Sequence, residues 1–529
     1  MTRPAESLPV RLVAGDGDAD SQTPEIRVSE DEATVIKQAL AALAGESMIY
    51  ERAGLLVHVM RGATKATGAA LRREHSAPRL APVPLSWIEL YLSRQARWRR
   101  FMGDQIGWQP VRPPTWAVRQ VFDSPVYPGI RCLHGVTESP VMRRDGTIID
   151  SPGFDDASGL LYLPAGEIGS IPDKPTKEDV AAALAALFDA VCDFPFEGEE
   201  HRAAWLASLL TLFARWSFDG PAPLFFFDAN TPGAGKSKLS TITGIIGLGR
   251  APDMMTWSSE PAESAKTITS LLLEGDPLVV IDNIEGSFGD ANIKALLTLT
   301  TWKQRILGVN KTTGPLPNLT TWFATANNVQ LKGKDMPRRL ITIRLRSDLE
   351  HPEERLEFKH HPVEDFVHRE RPRLAAAALT LLRAYAVAGR PDSHLPSGDY
   401  PGWCRAVRDA VVWLGLPNPT ATRAALRATA DSDTAEHRAL VAVVDGVCKG
   451  RWLKTAEILE SVKTEAELRE RLLEHCYGKQ PDELPDPKRF AHKLGKHRDA
   501  VVDGQRLVSE TAHGGYATWR VERVSEVRP

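Results

Sequence analysis

Four apolar runs of strand length, Leu224 to Phe227, Leu278 to Ile281, Thr320 to Thr325 and Leu340 to Leu345, recur in the middle of the chain. Their intervals suit a parallel sheet with crossover helices, so the pattern predicts an α/β core. Helix-like Val180 to Ala190 and Glu199 to Trp216 lead into the first of these strands. Upstream, Glu25 to Pro164 alternates helix-like stretches (Asp31 to Ala44, Leu85 to Phe101) with short strand-like ones (Leu55 to Met60, Gly146 to Ile149, Leu160 to Leu163). That mixture predicts an α+β domain, punctuated by prolines at Pro82 to Pro84 and Pro113 to Pro114 and joined to the core by a linker at Ile171 to Pro175. Downstream, Arg373 to Ala388 reads as a helix capped at Gly389, and Trp403 to Leu414 as another. After the polar Asp431 to Thr434 come helices over Arg438 to Val447 and Thr464 to Cys476, a basic helix, and strand-like Ala500 to Ser509 and Tyr516 to Val521. Helices followed by a β-hairpin predict a winged-helix domain. The expected division is a disordered leader (1–24), an N-terminal α+β domain (25–175), the sheet-bearing core (176–350), a helical domain (351–430) and the winged-helix-like domain (431–529).

Composition narrows the class. At 529 residues the chain exceeds a single core, and 43% hydrophobic with 25% charged residues is ordinary for a globular protein, with no apolar run long enough to cross a bilayer. Five cysteines stand far apart without a C-x-x-C pair, and M-T-R-P-A-E-S lacks the apolar centre of a secretory signal; a reduced, cytoplasmic, membrane-free protein is expected. A net charge of −3 means that contact with nucleic acid would come from local basic patches. Asp16 and Asp18 in the leader have no strand beneath them and are expected to be inert rather than metal-binding.

Chemistry concentrates at N-T-P-G-A-G-K-S, which follows the first core strand and precedes a helix. Glycines at Gly233 and Gly235 let backbone N–H groups turn inward around phosphates, Lys236 adds a point charge, and the Ser237 hydroxyl can ligate Mg²⁺ at a helix N-terminus. The nucleotide-binding set is Asn230, Thr231, Pro232, Gly233, Ala234, Gly235, Lys236, Ser237 and Lys238. Asn230 stands where the motif G-x-x-x-x-G-K-[ST] places its first glycine, and asparagine tolerates left-handed angles. The second element is L-V-V-I-D-N-I-E, an apolar strand ending in Asp282, which can complete the metal site opposite Ser237. Asn283 occupies the place where a glutamate would polarise water, leaving Glu285 as the candidate catalytic base. T-W-F-A-T-A-N-N ends a further strand with Asn327, an amide suited to sensing a γ-phosphate, and K-D-M-P-R-R-L offers Arg338 and Arg339 for a neighbouring protomer's phosphate.

The phrases D-A-N-T-P-G-A-G-K-S, V-V-I-D-N-I-E-G, T-W-K-Q-R-I-L-G, F-A-T-A-N-N-V and M-P-R-R-L-I-T-I-R-L, in that order, resemble the AAA+ ATPase module of superfamily 3 helicases, in the phage and plasmid primase-helicase branch related to poxvirus helicases. The similarity extends upstream through R-C-L-H-G-V-T-E-S-P-V-M-R-R-D-G and S-P-G-F-D-D-A-S-G-L-L-Y-L-P, covering most of Pro113 to Pro417. The resemblance implies ATP and Mg²⁺ as cofactors, a homo-hexameric ring around single-stranded DNA, 3′ to 5′ movement, and a DNA-gripping hairpin. Thr301 to Pro317 matches that hairpin, with Lys303, Arg305 and Lys311 beside Trp302. In the C-terminal domain Lys488, Arg489, Lys493, Lys496 and Arg498 form a basic edge for duplex phosphates, with His513 to Tyr516 as a wing tip. The expected protein is therefore an ATP-dependent DNA helicase of a mobile element, working with a separate primase or polymerase. Its alternative is an ATP-binding replication initiator that assembles on duplex with little unwinding. A combined primase-helicase is disfavoured, because the N-terminal portion carries neither zinc-ribbon cysteines nor a placed acidic trio.

Overall fold

The computed structural model describes residues 23–61, 71–72, 77–258, 260–284, 287–304, 313–326, 330–333, 335–424, 426, 432–477, 484–511 and 517–524. The leader with Asp16 and Asp18, together with Glu285, Arg305, Lys311, Asn327 and the 513–516 wing tip, lies outside the described residues.

The N-terminal part begins with β1 (Glu25–Val28) and α1 (Glu32–Leu43), the latter capped by the Asp31 carboxylate on the Thr34 N–H. A three-stranded antiparallel sheet (Ile49–Arg52, Leu55–Met60, Arg79–Pro82) precedes α2 (Leu85–Gln95), β2 (Arg97–Phe101), β3 (Trp108–Pro110) and α3 (Thr115–Phe122). β1 pairs in parallel with β2, and β2 antiparallel with β3. On one face of this small sheet Ile26 and Trp98 meet Val35 and Leu43 of α1, Ile88 and Leu92 of α2, and Val118 and Val121 of α3. The helix expected over Leu85 to Phe101 stops at Gln95. Trp98 turns inward while Arg97 points out, and that period-two alternation makes a strand of the second half.

A third small sheet (Gly135–Thr137, Gly153–Asp155, Leu160–Tyr162) is anchored by Asp155, which receives Arg143 Nη2 at 2.6 Å and Nε at 3.3 Å. The Arg143 hydrogen bond holds the Asp155 carboxyl below its ordinary range. A depressed folded-state pKa gives stability that is present above the unfolded value and is lost as pH falls through the folded one. Asp155→Asn is accordingly expected to flatten the acid limb of the stability curve below the usual aspartate range, measured by urea titration across pH.

The core follows α4 (Lys177–Asp189), opened by a Thr176–Asp179 capping box, and α5 (Glu199–Ala214), which is buried on nearly every side. Its elements are β4 (Leu224–Ala229), α6 (Lys236–Leu248), β5 (Asp253–Met255), α7 (Pro261–Glu274), β6 (Leu278–Ile284), β7 (Thr321–Ala326) and β8 (Leu340–Leu345). The strands run in parallel in the order β8-β4-β7-β6-β5, and Leu71–Arg72 adds an antiparallel edge to β5. Phe225 and Phe227 face the layer of α5 and α6, whereas Leu224 and Phe226 face that of α7, so both sides of the sheet are dry. The four expected strands are all present. β5 was not foreseen, because its three residues D-M-M begin with an acid, which is buried here beside Arg250 three residues earlier.

The next helix, α8 (Val363–Val387), starts ten residues before the expected Arg373 and passes through Pro372; Gly389 is left-handed at its end, as expected. Val363 and Val367 join the same core as Leu374, which keeps the turn before the proline helical. Trp403 to Leu414 is interrupted by a π-helical turn at Cys404–Arg408, where the buried Arg408 pairs with Asp409 at 2.7 Å. The C-terminal part packs α9 (Ser432–Cys448), α10 (Thr455–Thr464), α11 (Ala466–Tyr477) and α12 (Pro487–Lys496) against a four-stranded sheet containing β9 (Gln505–Thr511) and β10 (Ala517–Arg523). Among the described residues no helix is long and apolar enough to cross a membrane.

Two buried arginines join the N-terminal part to the core. Arg52 donates to the carbonyls of Leu133 (3.3 Å), His134, and Leu272 (2.9 Å) in the last turn of α7, and burial pulls its pKa down to about 10. Arg250 lies between Glu138 (2.7 Å) and Asp253 (3.2 Å), all three side chains being almost fully buried.

Candidate functional site

The loop after β4 turns through two left-handed glycines, Gly233 (φ 79°) and Gly235 (φ 97°), and Gly235 caps the N-terminus of α6. A side chain at Gly235 would press on the Phe194 ring at 3.1 Å, and one at Gly233 would run into the Glu353 carboxylate. Glycine at both positions leaves the loop without side chains of its own at the N-terminus of α6, which is the physical requirement for holding phosphates. Asn230 does not use the left-handed region. Its amide instead donates to Ser347 O (2.8 Å) and accepts from Ser347 N–H (2.9 Å), tying the start of the loop to the segment after β8.

Strand order decides what faces this loop. Because β7 lies between β4 and β6, the C-terminal ends of all three strands meet beside the start of α6. Ser237 Oγ donates to Asp282 Oδ1 at 3.3 Å, and Thr325 Oγ1 donates to the same oxygen at 2.7 Å. Thr325 also accepts from the Asn283 N–H at 2.8 Å, across a register shift in β6 where Asn283 adopts φ 50°. Burial lowers the Lys236 ammonium from its ordinary pKa, against the pull of Asp228 and Asp282. Asp228 is itself paired with Arg344 at 3.3 Å. Asp282 is thus brought beside the adjacent Lys236 and Ser237, from which it is distant in sequence. Thr325 was missed, although its position two residues before Asn327 on a strand end was a usable signal.

Beside the loop a cavity of about 830 Å³ opens between residues 193–195 and 346–363, with Phe194, Leu349, Pro352 and Val363 among its walls. Its apolar sides, next to the glycine loop, suit a flat heterocycle such as the base of a nucleotide. Lys238 points toward Glu364 at 3.7 Å.

The paired arginines separate. Arg338 is half exposed (53%) and reaches Asp399 at 3.1 Å, whereas the Arg339 side chain is 10% exposed and bonded to Asp335 of its own chain. Arg339 is therefore closed to a neighbouring protomer: it lies on the inner side of the turn before β8, beneath Tyr400. Thr301–Trp302 pairs antiparallel with Leu316–Pro317, and Thr313 N–H donates to Gln304 O at 2.8 Å, forming the base of the expected hairpin. Lys303 is exposed there, but Trp302 is core, its indole N–H bound to Thr269 at 2.9 Å.

At the C-terminal basic edge Lys488, Arg489, Lys496 and Arg498 are exposed, with Arg489 stacked over Tyr477 and Arg498 beside Asp499. Lys493 turns inward instead. It meets Glu436 at 2.8 Å and the Cys476 carbonyl; burial opposes ionisation of Glu436, yet Lys493 and His497 hold its carboxyl below the ordinary range. The i,i+4 and i,i+3 neighbours Arg489 and Lys496 could not reveal this, because the partner Glu436 is on α9.

No protein-family model and no curated protein matches the chain. Among solved structures it is similar to the NrS-1 C-terminal region (12% identity, over 78% of this chain and 91% of that one, TM-score 0.39). It is also similar to the SCCmec type IV Cch helicase (12%, 75% and 73%, TM-score 0.28) and to JCV helicase (13%, 45% and 67%, TM-score 0.19).

Proposed function

We propose that this chain is an ATP-dependent DNA helicase, a ring motor of the superfamily 3 type with an AAA+ core, acting in replication of a phage, plasmid or integrated mobile element. The observation that carries the reading is the meeting of the Ser237 hydroxyl and the Asp282 carboxylate at 3.3 Å beside the loop of Lys236. Asn230 to Lys238 cradle the phosphates of ATP. Ser237 and Asp282 are oxygen donors that fit a hard cation and would hold Mg²⁺, which when bound neutralises charge on the phosphates. Thr325 fixes the Asp282 carboxylate and the backbone at Asn283. Asn327 follows β7 directly in sequence and is proposed to sense the γ-phosphate, with Glu285 as the base. Arg338 is the arginine proposed to act on the neighbouring protomer of a homo-hexamer. Lys303, with Arg305 and Lys311, grips single-stranded DNA in the channel. Lys488, Arg489, Lys496 and Arg498 contact duplex as part of a winged helix, and a separate primase or polymerase completes replication.

Strand displacement on a forked duplex tests this reading: ATP-driven opening is expected from the wild type and not from Lys236→Ala. Arg338→Ala is expected to be inactive alone and to regain part of its hydrolysis when mixed with Lys236→Ala subunits, since mixed interfaces restore intact sites. Absence of rescue would remove the shared site. Thr325→Val keeps the side-chain shape and strips the hydroxyl that accepts from the Asn283 N–H and donates to Asp282. Its expected cost is about 1–3 kcal/mol of stability, with slower ATP hydrolysis, read by urea titration and phosphate release.

Asn283 favours a second reading. In the left-handed position after Asp282 it offers an amide where a carboxylate base is expected, which fits an ATP-binding initiator that hydrolyses slowly. Such a protein would form ATP-dependent oligomers on duplex without opening the fork.

A further inference from the structure

The three-stranded sheet of β1, β2 and β3 has one face covered by α1, α2 and α3, and its other face bears an unusual combination of side chains. Ile26 and Trp98, which are register partners, point into the helical layer, so their neighbours Glu25, Arg27, Arg97 and Arg99 point away from it. Phe101, two residues beyond Arg99, shares that outer face, and Trp108 is its cross-strand partner. A contact between non-adjacent strands confirms the geometry: the Arg27 guanidinium on β1 lies 5.1 Å from the Trp108 ring on β3, reaching over β2. The two rings lie 5.6 Å apart, and Phe101 remains 46% exposed. In the β2–β3 turn Met102 and Ile106 are also exposed.

Charge and shape select the occupant. Three arginines face out against one carboxylate, and Glu25 holds two of them in place, Arg27 at 2.9 Å and Arg99 at 3.3 Å. Such a face attracts a polyanion. The exposed Phe101 ring and the half-buried Trp108 ring beside it add stacking surfaces for bases, which only an unpaired strand can present. A duplex would meet the charges while leaving the rings without a base to stack on.

We propose that this outer sheet face binds single-stranded DNA, with Phe101 and Trp108 stacking bases and Arg27 and Arg99 contacting the backbone. It is a surface separate from the nucleotide site and from the hairpin and C-terminal basic residues. The choice of DNA over RNA rests on the function proposed above; the site itself does not.

Binding of full-length protein to fluorescein-labelled oligothymidylate, measured by anisotropy without nucleotide, tests the proposal independently of any motor activity. Replacing both rings (F101A with W108A) is expected to weaken binding by about tenfold or more, since each stacked base contributes on that order. Replacing Arg27 and Arg99 by alanine is expected to reduce the slope of log affinity against log salt by about 1.4, at about 0.7 per phosphate contact on a single strand. Cross-linking with iododeoxyuridine-substituted oligonucleotide is expected to put adducts on peptides containing Phe101 or Trp108. An unchanged urea midpoint and unchanged DNA-independent ATP hydrolysis in the variants establish that the fold is intact. Wild-type affinity in both variants, or binding of duplex as tight as that of oligothymidylate, would overturn the assignment, whereas oligouridylate bound equally tightly would overturn only the choice of DNA over RNA. So would adducts confined to other peptides.

Discussion

Lys236→Ala is expected to lower ATP hydrolysis by about a hundredfold to a thousandfold, the range that loss of one preorganised donor to developing charge produces. The lysine lies where the backbone of the glycine turn and the N-terminus of α6 converge, and burial already disfavours its charge, so a bound triphosphate is its natural counter-ion. The variant is expected to fold. Asp228, the buried acid nearest to it in effect, keeps its pairing with Arg344. A thermal melt separates the two effects: the apo transition stays in place, and the ATP-dependent rise in transition temperature shrinks. Wild-type hydrolysis in this variant would falsify the assignment of the site.

The largest effect on stability is expected from Arg250→Met. The guanidinium is the shared counter-ion of Glu138 and Asp253, both buried, and burial pushes the Glu138 carboxyl above its ordinary range even with the arginine present. Removing one partner of a buried ion pair leaves an uncompensated charge and costs about 3–5 kcal/mol. Here two carboxylates lose their counter-ion together, and they belong to different parts of the chain: Glu138 follows a strand of the small N-terminal sheet, and Asp253 opens β5. Loss of Arg250 should therefore loosen the N-terminal part from the core as well as lower the midpoint of urea unfolding. Hydrogen exchange is expected to show increased opening of β5 and of the Gly135–Thr137 strand before the centre of the sheet. The triple replacement of Arg250, Glu138 and Asp253 by apolar residues of similar volume is expected to recover most of the loss, because no charge is then left buried.

The strands of the core were legible because their apolar runs are short, dense and bounded by turn residues, as β4, β6, β7 and β8 illustrate. Local patterning was less informative where neighbours elsewhere in the chain decide the outcome. The end of the expected helix at Leu85 to Phe101 is a strand because Trp98 finds a core built by three helices. Pro372 stays inside α8 because Val363 and Val367 on the preceding turns are buried with Leu374. Local pattern favoured a continuous helix at the first place and a break at the second, and tertiary packing overrode both.

By itself the sequence determined the glycine loop proposed to hold phosphates, because N-T-P-G-A-G-K-S carries its features within eight consecutive residues: glycine angles, a lysine and a hydroxyl at a helix start. It also placed Asp282 at a strand end, since an apolar run terminated by an acid is a local feature. Only the tertiary structure brought Ser237, Asp282 and Thr325 together, for the order β4-β7-β6 is set by which strands pair, and pairing joins residues far apart in the chain. Only the tertiary structure likewise separated Arg338 from Arg339 and Lys493 from its basic neighbours. Arg339 is held by Asp335, four residues before it, whereas the partners of Arg338 and Lys493 are Asp399 and Glu436, and no local spacing along the chain encodes their approach.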